Sequence, residues 1–330
     1  MSEKQVSSPG IAAKMLVAPA TSVKGADVCL FVAYCPDGKV GPGLQYFLQK
    51  FIEQDIKVVL CLIVEDEAVT VNVADLTMCS SIVVRKNTGY DFGAWAGTLR
   101  TLPQLWEAKR LFFVNDSILG PNQNFGSLIS NIRASSEDFI ALTANWIDVY
   151  HAQSYFYVYQ SNALQNETIR KSWDDLPDFP SKLDVIRECE QRQLRLICEC
   201  GLNHRIMFPL NEKTAFLSAA EKDSFNPTHH AWGELVANGF PFLKADLFYR
   251  SKQNLSGWNR SFDHDVIRLQ LDVILSSRVS RASTEVRAQH TSLKFLKKLI
   301  GEERFFRFRS QWKAWRSRQR VRKMSSHFER

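Results

Sequence analysis

The sequence predicts an α/β fold in which a mostly parallel sheet is flanked by helices, and three observations predict it. Two apolar runs of strand length, Val28–Tyr34 (VCLFVAY) and Lys57–Val64 (KVVLCLIV), are continuous rather than alternating. That is the pattern of strands buried on both faces. Between them Leu44, Phe47, Leu48, Phe51 and Ile52 recur at helical spacing. A polar or acidic cluster follows each strand: Asp37, then Glu65 with Asp66, then Asn115 with Asp116. Ligands of parallel α/β sheets sit beyond the carboxyl ends of the strands, so chemistry is expected along that edge. Polar loops follow every strand, so no single cluster decides the matter.

The elements follow in order. Residues 1–25 are small and polar and are expected to form a flexible N-terminal arm. The first strand ends at the turn signal Pro36-Asp37-Gly38. Ser81–Val84 and Leu111–Val114 are the third and fourth strands, and Phe139–Trp146 and Tyr155–Tyr159 are further ones. Asp184–Cys200 is expected to be a helix capped by Gly201. Trp232–Ala237 reads as a short helix, broken by Phe240-Pro241-Phe242. The domain expected from this order spans 26–265, and a basic helical extension spans 266–330.

Composition excludes several classes. The chain has 330 residues, 45% hydrophobic and 23% charged, which suits a globular protein with a sizeable core. No apolar run approaches the roughly 20 residues that cross a bilayer, and Met15–Pro19 is too short for a signal segment. Seven cysteines, an odd number, fit reduced thiols. The expectation is a cytoplasmic protein. The net charge of +7 is uneven: Thr291–Arg330 holds thirteen Lys or Arg against Glu302, Glu303 and Glu329. Phe305, Phe308, Trp312 and Trp315 recur there at helical spacing among arginines and lysines. Such a helix suits the surface of an anionic membrane, which is the partner expected. Nucleic acid and packing onto the domain are the rivals.

Two segments carry chemistry. In Arg85–Trp95 (RKNTGYDFGAW), Gly89 and Gly93 flank Tyr90-Asp91-Phe92, with Asn87 on the same loop. Glycine permits close approach of backbone to a ligand; the plainer reading is a turn capping a helix, with Asp91 as its N-terminal acid. In Phe112–Pro121 (FFVNDSILGP) a buried strand delivers Asn115, Asp116 and Ser117 to the sheet edge. A carboxylate there can hold a divalent cation that bridges phosphates, or bond its own backbone in an Asx-turn.

These two motifs, followed by Gln153-Ser154-Tyr155-Phe156, then NPTHHAW, then GFPFLK, resemble the rhamnan synthesis F family, in order from about Val28 to about Lys244. The resemblance implies a GT-A-like (Rossmann-like) glycosyltransferase. It would move rhamnose or a related sugar from a nucleotide donor, such as dTDP-rhamnose or GDP-rhamnose, to a growing surface polysaccharide. By the same resemblance Asp66 takes the nucleoside position, Asn87 with Gly89 the N-x-G position, and Asn115 with Asp116 the D-x-D position. Glu190, eleven residues before Gly201, falls where the general base lies, although a solvated charged helix face fits it equally. Mg2+ or Mn2+ is the implied metal, with Asp116 as its ligand. Asn-Asp-Ser offers one carboxylate where D-x-D offers two, and Tyr34 stands where the family often has His.

The chemistry implied is an inverting displacement, with Glu190 and Asp116 as the catalytic pair. Arg85, Lys244, His229 and His230 are candidates to meet leaving-group charge. Tyr90, Asp91, Ser117 and Gln153 complete the expected donor site, and a lipid-linked glycan is the expected acceptor. A non-catalytic nucleotide-sugar-binding or assembly subunit is the alternative. Cys189, Cys198, Cys200 and His204 lack the spacing of a zinc site.

Overall fold

The computed structural model describes residues 9–19, 22–66, 68–210, 216–218, 221–222, 225–248, 257–272 and 274. Residues 1–274 form one compact unit and 275–330 a second. The second unit, and with it the basic aromatic segment, lies outside the described residues.

In the first unit eight strands form one sheet, in the order β1-β4-β3-β2-β5-β10-β7-β11. Its centre is β2 (Asp27–Tyr34), β3 (Lys57–Val64), β4 (Ser81–Lys86) and β5 (Arg110–Asn115), all mutually parallel. β10 (Phe156–Gln160) runs antiparallel between β5 and β7 (Phe139–Ala141), and β11 (His204–Ile206) is parallel to β7. Helices cover both faces.

Alternation along the central strands builds two cores. Val28, Leu30 and Val32 of β2 face α2 (Tyr90–Thr101), where Trp95, Phe113 and Trp173 pack together. Cys29, Phe31 and Ala33 face α1 (Pro42–Ile52) and α3 (Phe125–Ala134), through Phe47, Phe51 and Phe125. Both faces are dry, so both sets of residues must be apolar. Truncating a ring such as Phe51 costs about 3–5 kcal/mol.

Three expectations are corrected at the ends and edges. Lys14–Val17, expected within the flexible arm, forms β1, antiparallel to β4. Pairing there covers an otherwise open sheet edge, and the Ala13 N–H donates to Gly97 O of α2 at 3.1 Å. The helical residues 264–272 belong to the first unit rather than opening the extension. Phe262 and Ile267 pack with Leu119 and Leu243, and the Gln270 side chain bonds the backbone N–H and C=O of Gly120 at 2.8 and 2.6 Å. The stretch Phe139–Trp146, expected as one strand, divides into β7 and the short β8 (Ala144–Asn145), which pairs with β9 (His151–Ala152) in a separate hairpin.

Candidate functional site

Strand order reverses between β2 and β5: β3 and β4 extend from one side of β2, and β5 lies on the other. Crevices outside such switch points are where α/β sheets bind ligands. The Tyr34 N–H at the end of β2 donates to the Asp116 carboxylate just past β5, at 2.9 Å. The Asp116 N–H in turn donates to Val32 O at 3.2 Å. The N-D-S segment is therefore stitched across the switch point.

On the α2 side of this seam Asn115, nearly buried, donates from Nδ2 to Asp91 at 2.8 Å. Its Oδ1 accepts from the Ser117 hydroxyl and backbone N–H, at 2.5 and 3.1 Å. The Ser117 hydroxyl also accepts from Lys244 Nζ at 2.7 Å, and that ammonium lies 4.7 Å from the centre of the Tyr155 ring. Lys244 arrives on β12 (Leu243–Lys244), which pairs with β6 (Ile118–Leu119) immediately after the N-D-S segment. Burial pushes the Asp91 carboxyl above the usual carboxylate range, while Lys182 and Lys244 pull it back. Burial pushes Lys244 below the ordinary lysine value, opposed by Asp246, Glu190 and Asp91.

Glu190 closes a five-residue π-helical turn, Ile186–Glu190, at the start of α4 (Gln191–Glu199). Its carboxylate accepts from the Ser154 N–H at 2.9 Å. Its charge acts on both Asp91 and Lys244, so the expected base shares one electrostatic environment with the N-D-S cluster. π-turns within helices recur at functional sites.

Of the acidic pair after β3, Asp66 is the one expected to take the nucleoside, but the contacts to neighbouring strand ends are made by Glu65. Asp66 accepts only within its own loop among the described contacts, from the Ala68 N–H at 2.9 Å. The neighbouring Glu65 accepts from the Tyr34 hydroxyl at 2.5 Å and from Asn87 Nδ2 at 2.9 Å. Glu65 continues the side-chain parity of Cys61 and Ile63, which face the α2 core. That parity is the sequence signal that would have singled out Glu65.

Other expected residues have different employment. Arg85, 2% exposed, is committed beneath the glycine loop to Asp178, to Thr88 O and to Ile11 O. None of these partners belongs to the strand-end cluster around Asn115. A Cβ on Gly93 would come within 2.6 Å of Thr88 O and 2.8 Å of Arg85 Nη1. Gly93 thus makes room for the Arg85–Asp178 pair. Gly89 and Tyr90 both hold positive φ, 72° and 54°, as the chain turns from β4 into α2. Gln153 braces the site from behind, accepting from Thr143 at 2.6 Å and donating to Asn226 at 3.3 Å. His229 pairs with Asp246 at 2.7 Å, and His230 Nδ1 accepts the Asn226 N–H.

Among the described residues no group of three or more His, Cys, Asp or Glu side chains is placed to hold a metal ion. Asp116, the carboxylate expected to hold Mg2+ or Mn2+, accepts from the Tyr34 backbone N–H. A cavity of about 700 Å³ lies elsewhere, lined by residues such as Asn124, Asn131, Arg205, Phe208 and Glu234. It gathers none of the strand-end groups that lie at the switch point. No helix among the described residues is long and apolar enough to cross a membrane.

Comparison with known proteins agrees with the sequence motifs. The family description "Rhamnan synthesis protein F" matches residues 62–282. The virulence protein VirA of Vibrio anguillarum is 29% identical over 194 residues, covering 51% of this chain and 62% of that one. The uncharacterized protein y4gN of Sinorhizobium fredii is 32% identical over 117 residues, covering 34% of this chain and 30% of that one. The chain therefore spans less than two thirds of either relative. A Bacillus anthracis protein described as a glucose-1-phosphate thymidylyltransferase, solved with sucrose, aligns over 61% of this chain and 97% of its own. Its TM-score is 0.33 at 12% identity, too low to carry an argument.

Proposed function

The chain belongs to the rhamnan synthesis protein F family, and from that membership we propose that it is a GT-A-like glycosyltransferase. In this reading it moves rhamnose or a related sugar from a nucleotide donor to a growing polysaccharide, with inversion. The observation that carries the reading is the Asp91–Asn115–Ser117–Lys244 chain of contacts, set beside Asp116 at the switch point.

In this reading the residues take the following roles. Glu65, which accepts from both Asn87 Nδ2 and the Tyr34 hydroxyl, holds the nucleoside together with Asn87. Asp91, fixed by Asn115, orients the donor sugar. An acceptor hydroxyl gives its proton to Glu190 while its oxygen bonds the anomeric carbon. The bond from that carbon to the phosphate oxygen breaks, and its electron pair leaves with the nucleoside diphosphate. Lys244, held beside Ser117, meets that charge. General-base help is worth about 10²–10⁴ in rate.

Among the described residues no three His, Cys, Asp or Glu side chains gather to hold a metal ion. Mg2+ or Mn2+ entering with the diphosphate would find Asp116 as its protein carboxylate. The basic segment around 305–316, outside the described residues, is proposed to bring the protein to the cytoplasmic membrane face, where a lipid-linked acceptor would lie.

Purified protein incubated with dTDP-rhamnose or GDP-rhamnose tests the reading. Acceptor-dependent release of the nucleoside diphosphate is expected, along with a raised melting temperature. A single-carboxylate N-D-S favours one rival, a subunit that binds the donor without transfer. Stabilisation with no release supports that rival. Neither stabilisation nor release overturns both.

A further inference from the structure

The hairpin of β8 and β9 carries an exposed aromatic pair that the donor site does not use. Trp146 and Tyr150 are each 40% exposed, and Val149 between them is 49% exposed. The two rings lie 4.5 Å apart, tilted by 45°. Lys222 Nζ sits 5.4 Å from the Trp146 ring. Scattered apolar residues on a surface are ordinary; three within five residues, on one tip, form a patch.

The tip is built rather than loose. The buried Asn145 side chain accepts from the N–H groups of Trp146 and Ile147, at 2.7 and 3.1 Å. The buried His151 ring lies 2.7 Å from Val149 O through Nδ1. The hairpin is also tied to the catalytic candidate from two sides. Gln191, the residue after Glu190, donates to Ile147 O at 3.3 Å and to Asp148 at 3.2 Å. Ser154, two residues past β9, donates its N–H to Glu190. The aromatic pair is thus fixed relative to the proposed base.

A pyranose has a face of C–H groups and an edge of hydroxyls. The negative face of an aromatic ring attracts C–H groups, and an ammonium beside it donates to hydroxyls. We propose that Trp146 and Tyr150 form the acceptor platform, on which a sugar ring of the growing glycan stacks with a hydroxyl directed at Glu190. This rests on the transferase reading, and the donor crevice gives it an independent control.

The test titrates the full chain with a rhamnose trisaccharide, followed by saturation-transfer NMR, and separately with dTDP. Trp146→Ala and Tyr150→Ala should each weaken trisaccharide binding by roughly three- to tenfold and leave dTDP affinity unchanged. Trp146→Phe and Tyr150→Phe keep a ring and should stay within about twofold of the parent. Alanine variants that bind the trisaccharide as well as the parent overturn the platform. So do phenylalanine variants that lose the trisaccharide while still binding dTDP. A parent chain that binds dTDP but not the trisaccharide overturns the platform and leaves the transferase reading standing. A chain that binds neither overturns both.

Discussion

The backbone N–H of Tyr34 donates to the carboxylate of Asp116 at 2.9 Å, joining β2 to β5 where the strand order reverses. The Tyr34 hydroxyl reaches the other way, to Glu65. One residue therefore links the proposed nucleoside end of the crevice to the N-D-S end, and the predictions follow from that linkage.

Glu190→Gln keeps an oxygen for the Ser154 N–H but cannot take a proton. Transfer should fall by about 10²–10⁴ while nucleotide affinity holds. Steady-state kinetics alongside calorimetric titration with dTDP checks both. Undiminished transfer in this variant removes Glu190 as the base.

Glu65→Ala removes the acceptor of both Tyr34 and Asn87 and should weaken nucleotide binding by about tenfold or more, the equivalent of about 1.4 kcal/mol. Asp66→Ala should leave it unchanged, because the described contact of Asp66 is within its own loop. The reverse ranking in a titration with dTDP would return the nucleoside to Asp66.

Lys244 is pushed below the ordinary lysine value by burial, so it loses its proton at a lower pH than an exposed lysine. The protonated form is the one that meets a diphosphate. Diphosphate affinity should be intact below that pKa and decline as pH rises through it. Lys244→Met should lower affinity at neutral pH by about tenfold or more and abolish the alkaline decline. An unchanged pH profile in the variant would assign the limb to another group.

Asp178→Asn leaves the buried Arg85 guanidinium without its counter-charge. Breaking such a pair costs about 3–5 kcal/mol, and chemical denaturation reads it directly. Arg85 is placed as a support of the glycine loop, so the loss should appear in stability first. A variant as stable as the parent, with impaired donor binding, would return Arg85 to the crevice.

Much of the fold was legible in the sequence. β2 and β3 are buried on both faces, and continuous apolar runs say so. β1 was hidden because its apolar stretch is only three residues long, within a segment that is otherwise small and polar. The antiparallel direction of β10 was hidden because a buried run carries no sign of its direction. Within the site, the N-D-S segment and Asp91 were legible as strand-end and helix-start groups. The role of Arg85 was not, since Asp178 lies 93 positions away and nothing local announces it. Gly89 and Gly93 stand four apart and read as room for a ligand. What fills the room at Gly93 and Gly97 is Arg85 itself.

The most direct test of the central claim is a crystal structure of the protein with dTDP-rhamnose bound. The diphosphate should lie within hydrogen-bonding distance of Lys244 and Ser117, and the sugar between Asp91 and Glu190. A donor seated instead in the cavity beside Asn131 and Arg205, or one that leaves Lys244 and Ser117 untouched, would contradict it.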